Sequence, residues 1–419
     1  MISFFTSCKK DYGNLNNATV EDFLKNASKS KLNNLVSGTE SGMRNVLNLY
    51  LDDVGTIGRE GYHFSTSEPR YVTDLLGASN GTLSGSNFYI ANPWAARYRV
   101  VKNCNILIQA AENSTLISDA EKKGYTGFAK TIKAYELLMN LNLTESNGIR
   151  VEVNDPDNLG PFVTYTDGLT AIVSLLDAAK ADLSSASVAF SLAGFSGLND
   201  AAGLSKFNRA FAARVSVYQK NWQAALNNLN ESFFGLNNDF KLGAYHVFGT
   251  GSGDQLNSMF IPQNQTGEIR VAHPSYVADI EAGDDRINKA TLRNATASLS
   301  GLSSNRDVWV YTSSTALLPI IRNEELILIY AEANIQLDNL SEGVKAINVI
   351  RNGHQLGVYT GAVTKDALIN EMLKQRRYSL FFEGHRWIDL RRYNLLNSLP
   401  VDRTGDDVWT KFPLPVTEQ

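Results

Sequence analysis

The sequence predicts a mostly α-helical protein with little β structure, and three observations carry that expectation. Apolar residues recur at three- and four-residue steps through most of the long segments. The stretches that lack this period are rich in Gly, Ser, Asn, Tyr and Pro, and read as loops laid over a helical frame. With 419 residues, 43% of them hydrophobic and 20% charged, the chain has the composition of a folded protein with a sizeable core. No run of 18 or more apolar residues occurs, which excludes an ordinary membrane-spanning helix. A net charge of −4 gives no electrostatic grip on a polyanion, so nucleic acid is not expected as a partner.

Taken in chain order, residues 1–18 read as a signal-peptide remnant, a lipidation site and a flexible tether, and residues 19–419 as one domain. The apolar "ISFFTS" ends in small residues before Cys8 and is followed by the polar "KKDYGNLNN", an order that resembles the lipobox of bacterial lipoproteins. Only seven residues precede Cys8, so an internal methionine or a truncation is expected at the start. A loop-rich insert over about 55–93 precedes a helix pair over about 94–145. In that pair Trp94 heads the first helix as a core anchor with Tyr98 and Val101, and Cys104 reads as a small buried hydrophobe. Phe128, Ile132, Tyr135 and Met139 form the buried face of the second helix.

Helices are next expected over about 166–232, starting from a cap at Thr166 or Asp167, with a junction near Lys220 and Asn221. A second loop-rich insert, about 234–319, separates these from a pair over about 321–352 that meets near Asp338 to Ser341. In both junctions small residues before and after a three- or four-residue turn resemble the tetratricopeptide helix-turn-helix unit. The irregular spacing predicts a scaffold of unequal pairs rather than a uniform solenoid. A C-terminal helical motif over 366–397 closes the chain, with helices expected over Asn370 to Phe382 and Arg386 to Leu396 and with Gly384 in the left-handed conformation that ends the first.

Signatures of catalysis are absent. The five histidines include no H-E-x-x-H pair, two cysteines are too few for a thiolate zinc site, and neither G-x-x-x-x-G-K-[ST] nor G-x-S-x-G occurs. "GTGSGD" at 249–254 lacks the strand and helix that would make it a phosphate cradle and reads as a loop. The acid pairs Asp52–Asp53 and Asp284–Asp285 read as solvated loop residues. No enzyme activity, cofactor or metal is expected. The dense block "RRYSLFFEGHRWIDLRRY" at 376–393 admits two readings, an active site or a structural joint. Its apolar residues suit a core wedge, with Glu383, Arg386, Asp389 and an arginine at 376, 377 or 391 pairing across the corner, so the joint is expected.

Several segments in this order resemble one family: "FFTSCKKDY", "NPWAARYRVVKNCNILI", "IRNEELILIYAEANIQLDN", "INVIRNGHQLG" and the terminal block. Together they resemble the SusD/RagB family of outer-membrane nutrient-binding lipoproteins. The block supplies Arg377, Leu380, Glu383, Gly384, Arg386, Trp387, Asp389, Leu390 and Arg391 or Arg392 at the motif positions. The resemblance implies four irregular tetratricopeptide-like helix pairs and a loop-rich second half that holds ligand without transforming it. It also implies a lipid anchor on Cys8, display at the cell surface, and partnership with a SusC-type TonB-dependent outer-membrane transporter that takes up a glycan or other nutrient.

The signature motifs do not contain the ligand contacts, which are sought from chemistry. A sugar offers an apolar CH face and a ring of hydroxyls, so its site needs aromatic platforms beside polar side chains. Two loop regions offer both: Arg59, Tyr62, His63, Arg70 and Tyr71 in the first, and Asn305, Arg306, Asp307, Trp309 and Tyr311 in the second. Val308 and Val310 alternate with Trp309 and Tyr311 as in a short strand, and either an outward aromatic face or inward packing fits that alternation. A protein-binding adaptor of the tetratricopeptide kind, without a small-molecule ligand, is the alternative function.

Overall fold

The computed structural model describes residues 24–77 and 83–418. Cys8 and the tether expected over 1–18 lie outside the described residues. The helices α1 (Lys29–Gly42), α2 (Leu47–Ile57), α3 (Phe88–Asn113), α4 (Asp119–Thr144), α5 (Tyr165–Leu183), α6 (Ala201–Tyr218) and α7 (Trp222–Asn230) come first. After a short α8 (Pro274–Asp279), the chain continues through α9 (Asn323–Gln336), α10 (Leu340–Gly353), α11 (Lys365–Ser379) and α12 (Arg386–Arg392). Each long helix packs on its sequence neighbour: α3 on α4, α4 on α5, α5 on α6, α6 on α7, and α9 on α10 and α11. That succession buries one large core, in which Phe128, Phe207, Phe211 and Trp387 are almost fully enclosed, and the packing of α9 on α10 and α11 buries a second cluster around Ile327, Ile335 and Ile347.

Local chemistry explains the boundaries. Ser118 and Glu121 close a capping box on α4, the serine accepting from the glutamate N–H and the glutamate from the serine N–H. Thr164 caps α5 by accepting from Asp167 N at 3.2 Å, so this helix begins two or three residues before the expected Thr166 or Asp167 cap. The helix α3 begins at Phe88 rather than Trp94, because Pro93 sits in its second turn instead of opening it. Trp94 is buried, and its indole donates to Glu418 at 3.1 Å. Cys104 is enclosed and free, with its thiol pushed up by burial.

The α6–α7 and α9–α10 junctions are built alike. Gln219–Lys220–Asn221 and Leu337–Asp338–Asn339 each place the middle residue in the left-handed region, at φ of 57° and 62°. Each third residue then donates its N–H back to the preceding helix, Asn221 to Ser216 O at 2.9 Å and Asn339 to Asn334 O at 2.8 Å. The second junction allows close contact because α10 carries Gly343, where a Cβ would stand 2.5 Å from Ile335 Cγ1. Gly343→Val is therefore expected to cost about 1–3 kcal/mol by forcing the helices apart. Urea denaturation checks this, and an unchanged midpoint would mean that the pair tolerates separation.

The two loop-rich inserts contain short strands as well as loops. They are β1 (Gly61–Phe64), β2 (Ile149–Arg150), β3 (Phe162–Val163), β4 (Gly243–His246), β5 (Ile269–Ala272), β6 (Ala290–Leu299), β7 (Leu302–Val308) and β8 (Leu318–Arg322), of which β2 and β3 lie outside the inserts. An antiparallel sheet of order β1-β5-β7-β6 joins the first insert to the second, with His63 opposite Arg270 and Val271 opposite Asp307. The remaining strands form the two-stranded pairs β2-β3 and β4-β8.

Two expectations about charge need correction. Asp52 and Asp53 are not solvated loop acids but buried residues of α2, and Asp284 is buried beside Arg286, 2.7 Å away. In the terminal block, α11 ends at Ser379, five residues before Gly384, and α12 ends at Arg392, short of Leu396. Phe382 and Gly384 both have positive φ, 56° and 86°, so the corner needs two left-handed residues rather than one.

The charges of the block pair mostly with distant elements. Glu383 binds Arg322 at 2.8 Å, Arg377 binds Asp279 at 2.8 Å, and Arg386 donates to Gly58 O at 3.0 Å. Arg391 donates to Asn142 O at 2.8 Å and Thr410 O at 3.0 Å, while Trp387 donates to Trp409 O at 2.8 Å. Only Asp389 pairs across the corner as expected, with Arg376 at 2.6 Å; its second partner, Arg392 at 2.7 Å, lies one turn along the same helix. The block is a joint between α2, α4, α9 and the C-terminal segment.

Candidate ligand groove

Three adjoining hollows run along the junction of α1 and α2, facing the segment 247–270. The first, about 380 Å³, is lined by Glu40, Arg44, Phe248 and Asp254 among others. It shares the Arg44 and Phe248 walls with a middle hollow of about 100 Å³, which in turn shares Asn48 and Ser258 with a third of about 410 Å³. At the middle hollow Val46 holds φ of 58°, a left-handed conformation that is unusual for a β-branched residue and turns the chain from α1 into α2. A smaller cavity of about 40 Å³ beside Gly384 and His385, which shares Leu47 and Leu318 with the middle hollow, has room for water but not for a sugar ring.

The third hollow has the mixed lining that a polar ligand with an apolar face requires. Tyr71 is half-buried, and its ring stacks on that of His63 with centroids 4.1 Å apart. Phe260, also half-buried, lies on the opposite wall with its centroid 6.0 Å from that of Trp309. Beneath them Arg270 grips Asp52 through Nε at 2.6 Å and Nη2 at 2.7 Å, which closes the floor. Burial alone would raise the Asp52 carboxyl, but Arg270 and His63 outweigh it and hold the group well below the usual carboxylate range. Asp53 has no such partner, and burial together with the Asp52 charge pushes its carboxyl well up. His63 sits between Asp52 and Glu268, 3.1 and 3.3 Å away, without aligned hydrogen bonds to either.

Of the ten candidate contact residues, only His63 and Tyr71 line this groove. Trp309 backs its wall through Phe260. Arg59 is fully buried and gives its donors to Ile57 O, Pro400 O and Asp407 O at 2.8–3.1 Å. Tyr62 is enclosed against Phe64, and Arg70 is locked onto Glu68 at 2.6 and 2.7 Å. In the second region β7 ends at Val308, so no strand displays both aromatics, and Tyr311 turns inward to donate to Phe382 O at 3.0 Å. Asp307 is buried and bonded to Arg293, Arg306 donates to Ala290 O at 3.2 Å, and Asn305 is exposed on β7 away from the hollows. The sequence reading passed over Asn48, Phe260, Glu268 and Arg270. An aromatic followed by proline in a loop-rich stretch, as in "MFIPQNQTGE", is the signal that marks Phe260.

One cluster has the outline of a hydrolytic relay. Ser275 Oγ lies 2.8 Å from His273 Nδ1, and His273 Nε2 lies 2.9 Å from Asp402. Its atoms are engaged elsewhere: Nδ1 also accepts from Ser275 N at 3.1 Å to cap α8, and Arg377 donates to Ser275 Oγ at 2.7 Å. The cluster ties the terminal block to α8. Among the described residues no group of three or more His, Cys, Asp or Glu side chains is placed to hold a metal ion, and no helix is long and apolar enough to cross a membrane.

Comparison with known proteins adds to this geometry. Residues 274–412 match the SusD family model. A SusD-like protein of Formosa agariphila is 32% identical over 105 residues, a match spanning 22% of this chain and 21% of that relative. A SusD superfamily structure from Bacteroides vulgatus superposes with a TM-score of 0.73 over 93% of this chain and 96% of its own, at 16% identity. The last third of the chain thus matches the SusD family model, and the chain as a whole shares the fold of SusD superfamily structures. The surface glycan-binding protein A of Bacteroides uniformis shares the fold at a TM-score of 0.66 and 14% identity, over 88% of each chain. In this SusD-like fold the terminal block is the joint of the scaffold, tied to Gly58, Asn142 and Glu332.

Proposed function

We propose that this SusD-like protein binds a glycan in the groove between α1–α2 and residues 247–270, without transforming it. The observation that carries the proposal is the third hollow, about 410 Å³ walled by half-buried Tyr71 and Phe260 with His63, Glu268 and Asn48 at hand. Rings supply faces for CH groups, and the polar side chains meet hydroxyls. The names of structural relatives as a carbohydrate-binding protein and a surface glycan-binding protein support the ligand class. In this reading lipid on Cys8 holds the protein at the outer membrane, and a SusC-type TonB-dependent transporter receives the glycan.

Isothermal titration against a glycan panel tests the proposal. At least one oligosaccharide is expected to bind, and Phe260→Ala is expected to weaken it by about tenfold, some ~1.4 kcal/mol for one lost ring face. Phe260 is half-buried in a loop, so the variant should fold, and circular dichroism verifies that. Failure of every glycan would leave the adaptor reading.

A further inference from the structure

We infer that the groove selects uncharged oligosaccharides and discriminates against uronate- or sulfate-bearing ones. This rests on the groove being the glycan site. The ionisable side chains lining the three hollows are Glu40, Arg44, His246 and Asp254 in the first two and His63, Glu268 and Arg270 in the third. Arg270 is the cation best placed for an anionic sugar, yet Asp52 neutralises it through two hydrogen bonds and Ser258 O takes its Nη1 at 2.8 Å. Arg44 donates to Val247 O and lies over the Phe248 ring at 5.9 Å, in a hollow that Glu40 and Asp254 also line.

Three carboxyls thus face the groove against a single arginine outside the Arg270–Asp52 pair. In the third hollow Glu268 is the acid left outside that pair, its side chain 56% exposed and 3.3 Å from His63. A carboxylate or sulfate entering there would meet the Glu268 carboxylate, with the Arg270 guanidinium already held by Asp52 and Ser258 O, whereas a hydroxyl can donate to Glu268 or accept from Asn48. The repulsive element, rather than a new attraction, sets the specificity.

The test compares matched probes by titration at low ionic strength: neutral gluco-, manno- and galacto-oligosaccharides against oligogalacturonates and sulfated galacto-oligosaccharides of equal length. Neutral chains are expected to bind at least tenfold tighter than their acidic counterparts. Glu268→Lys, at an exposed position that tolerates substitution, is expected to narrow or reverse that ratio, whatever it costs in neutral binding. Acidic chains binding as tightly as neutral ones would overturn the inference and leave the groove reading intact. An unchanged ratio in Glu268→Lys would likewise overturn it, and binding of neither class would overturn both.

Discussion

Asp389→Ala is expected to destabilise the folded chain by about 3–5 kcal/mol, the range for stripping one partner from a buried ion pair. Asp389 is 3% exposed and holds Arg376 at 2.6 Å and Arg392 at 2.7 Å. Arg392 keeps Glu332 at 2.8 Å, but Arg376 loses its only salt-bridge partner, and its Nη1 is already without a hydrogen bond. Burial raises the Asp389 carboxyl, while Arg376 and Arg392 more than offset that and hold it at about 2. A folded-state value below the unfolded one means stability that is present above about pH 4 and lost as pH falls toward 2. The variant should therefore lose part of the acid limb of its stability profile as well as its melting temperature. Urea denaturation at pH 7 and pH 3 reads both, and a midpoint unchanged at pH 7 would contradict the joint.

Glu60 is expected to act in the opposite direction. It sits under the same joint, accepting from Phe382 N at 3.1 Å through Oε1, while Oε2 has no partner. Burial pushes its carboxyl up to about 8 against the opposing backbone bond and Arg386. The folded chain therefore holds a proton that the unfolded chain releases above about pH 4.5, and the stability this confers is present below that pH and lost as pH rises through 8. Glu60→Gln, close in shape and always neutral, should flatten the decline between pH 5 and pH 8. Thermal melts at the two pH values check this: the variant should gain on the wild type at pH 8 and match it at pH 5. Equal slopes would mean that Glu60 is charged in the fold.

The helix pairs were legible because apolar period and turn chemistry act locally. Lys220–Asn221 and Asp338–Asn339 mark their junctions, and each turn closes within a few residues of chain. The strands were not, because "GYHF" and "IRVA" are only four residues long and buried on both faces, which leaves no alternation to read. Charge deceived for a related reason. The Asp52–Asp53 pair looks solvated until Arg270, 218 residues away, is seen to neutralise one member.

The same non-locality governed the site. Arg59 reads as a ligand donor, but besides Ile57 O its acceptors are the carbonyls of residues 400 and 407, which only the fold brings near. His63 and Tyr71, which line the third hollow, could be named from sequence because an aromatic beside a polar ring in a loop is a local feature. Their companions Phe260, Glu268 and Arg270 come from another insert, joined to them through the pairing of β1 with β5.

Hydrogen–deuterium exchange of the protein with and without a neutral oligosaccharide that binds it tests the groove most directly. Protection is expected over residues 40–48, 63–71 and 255–270, the segments that wall the three hollows, with little change across the joint at 376–393. Protection concentrated at the joint, or spread over the α9–α10 pair with the groove unchanged, would contradict the account.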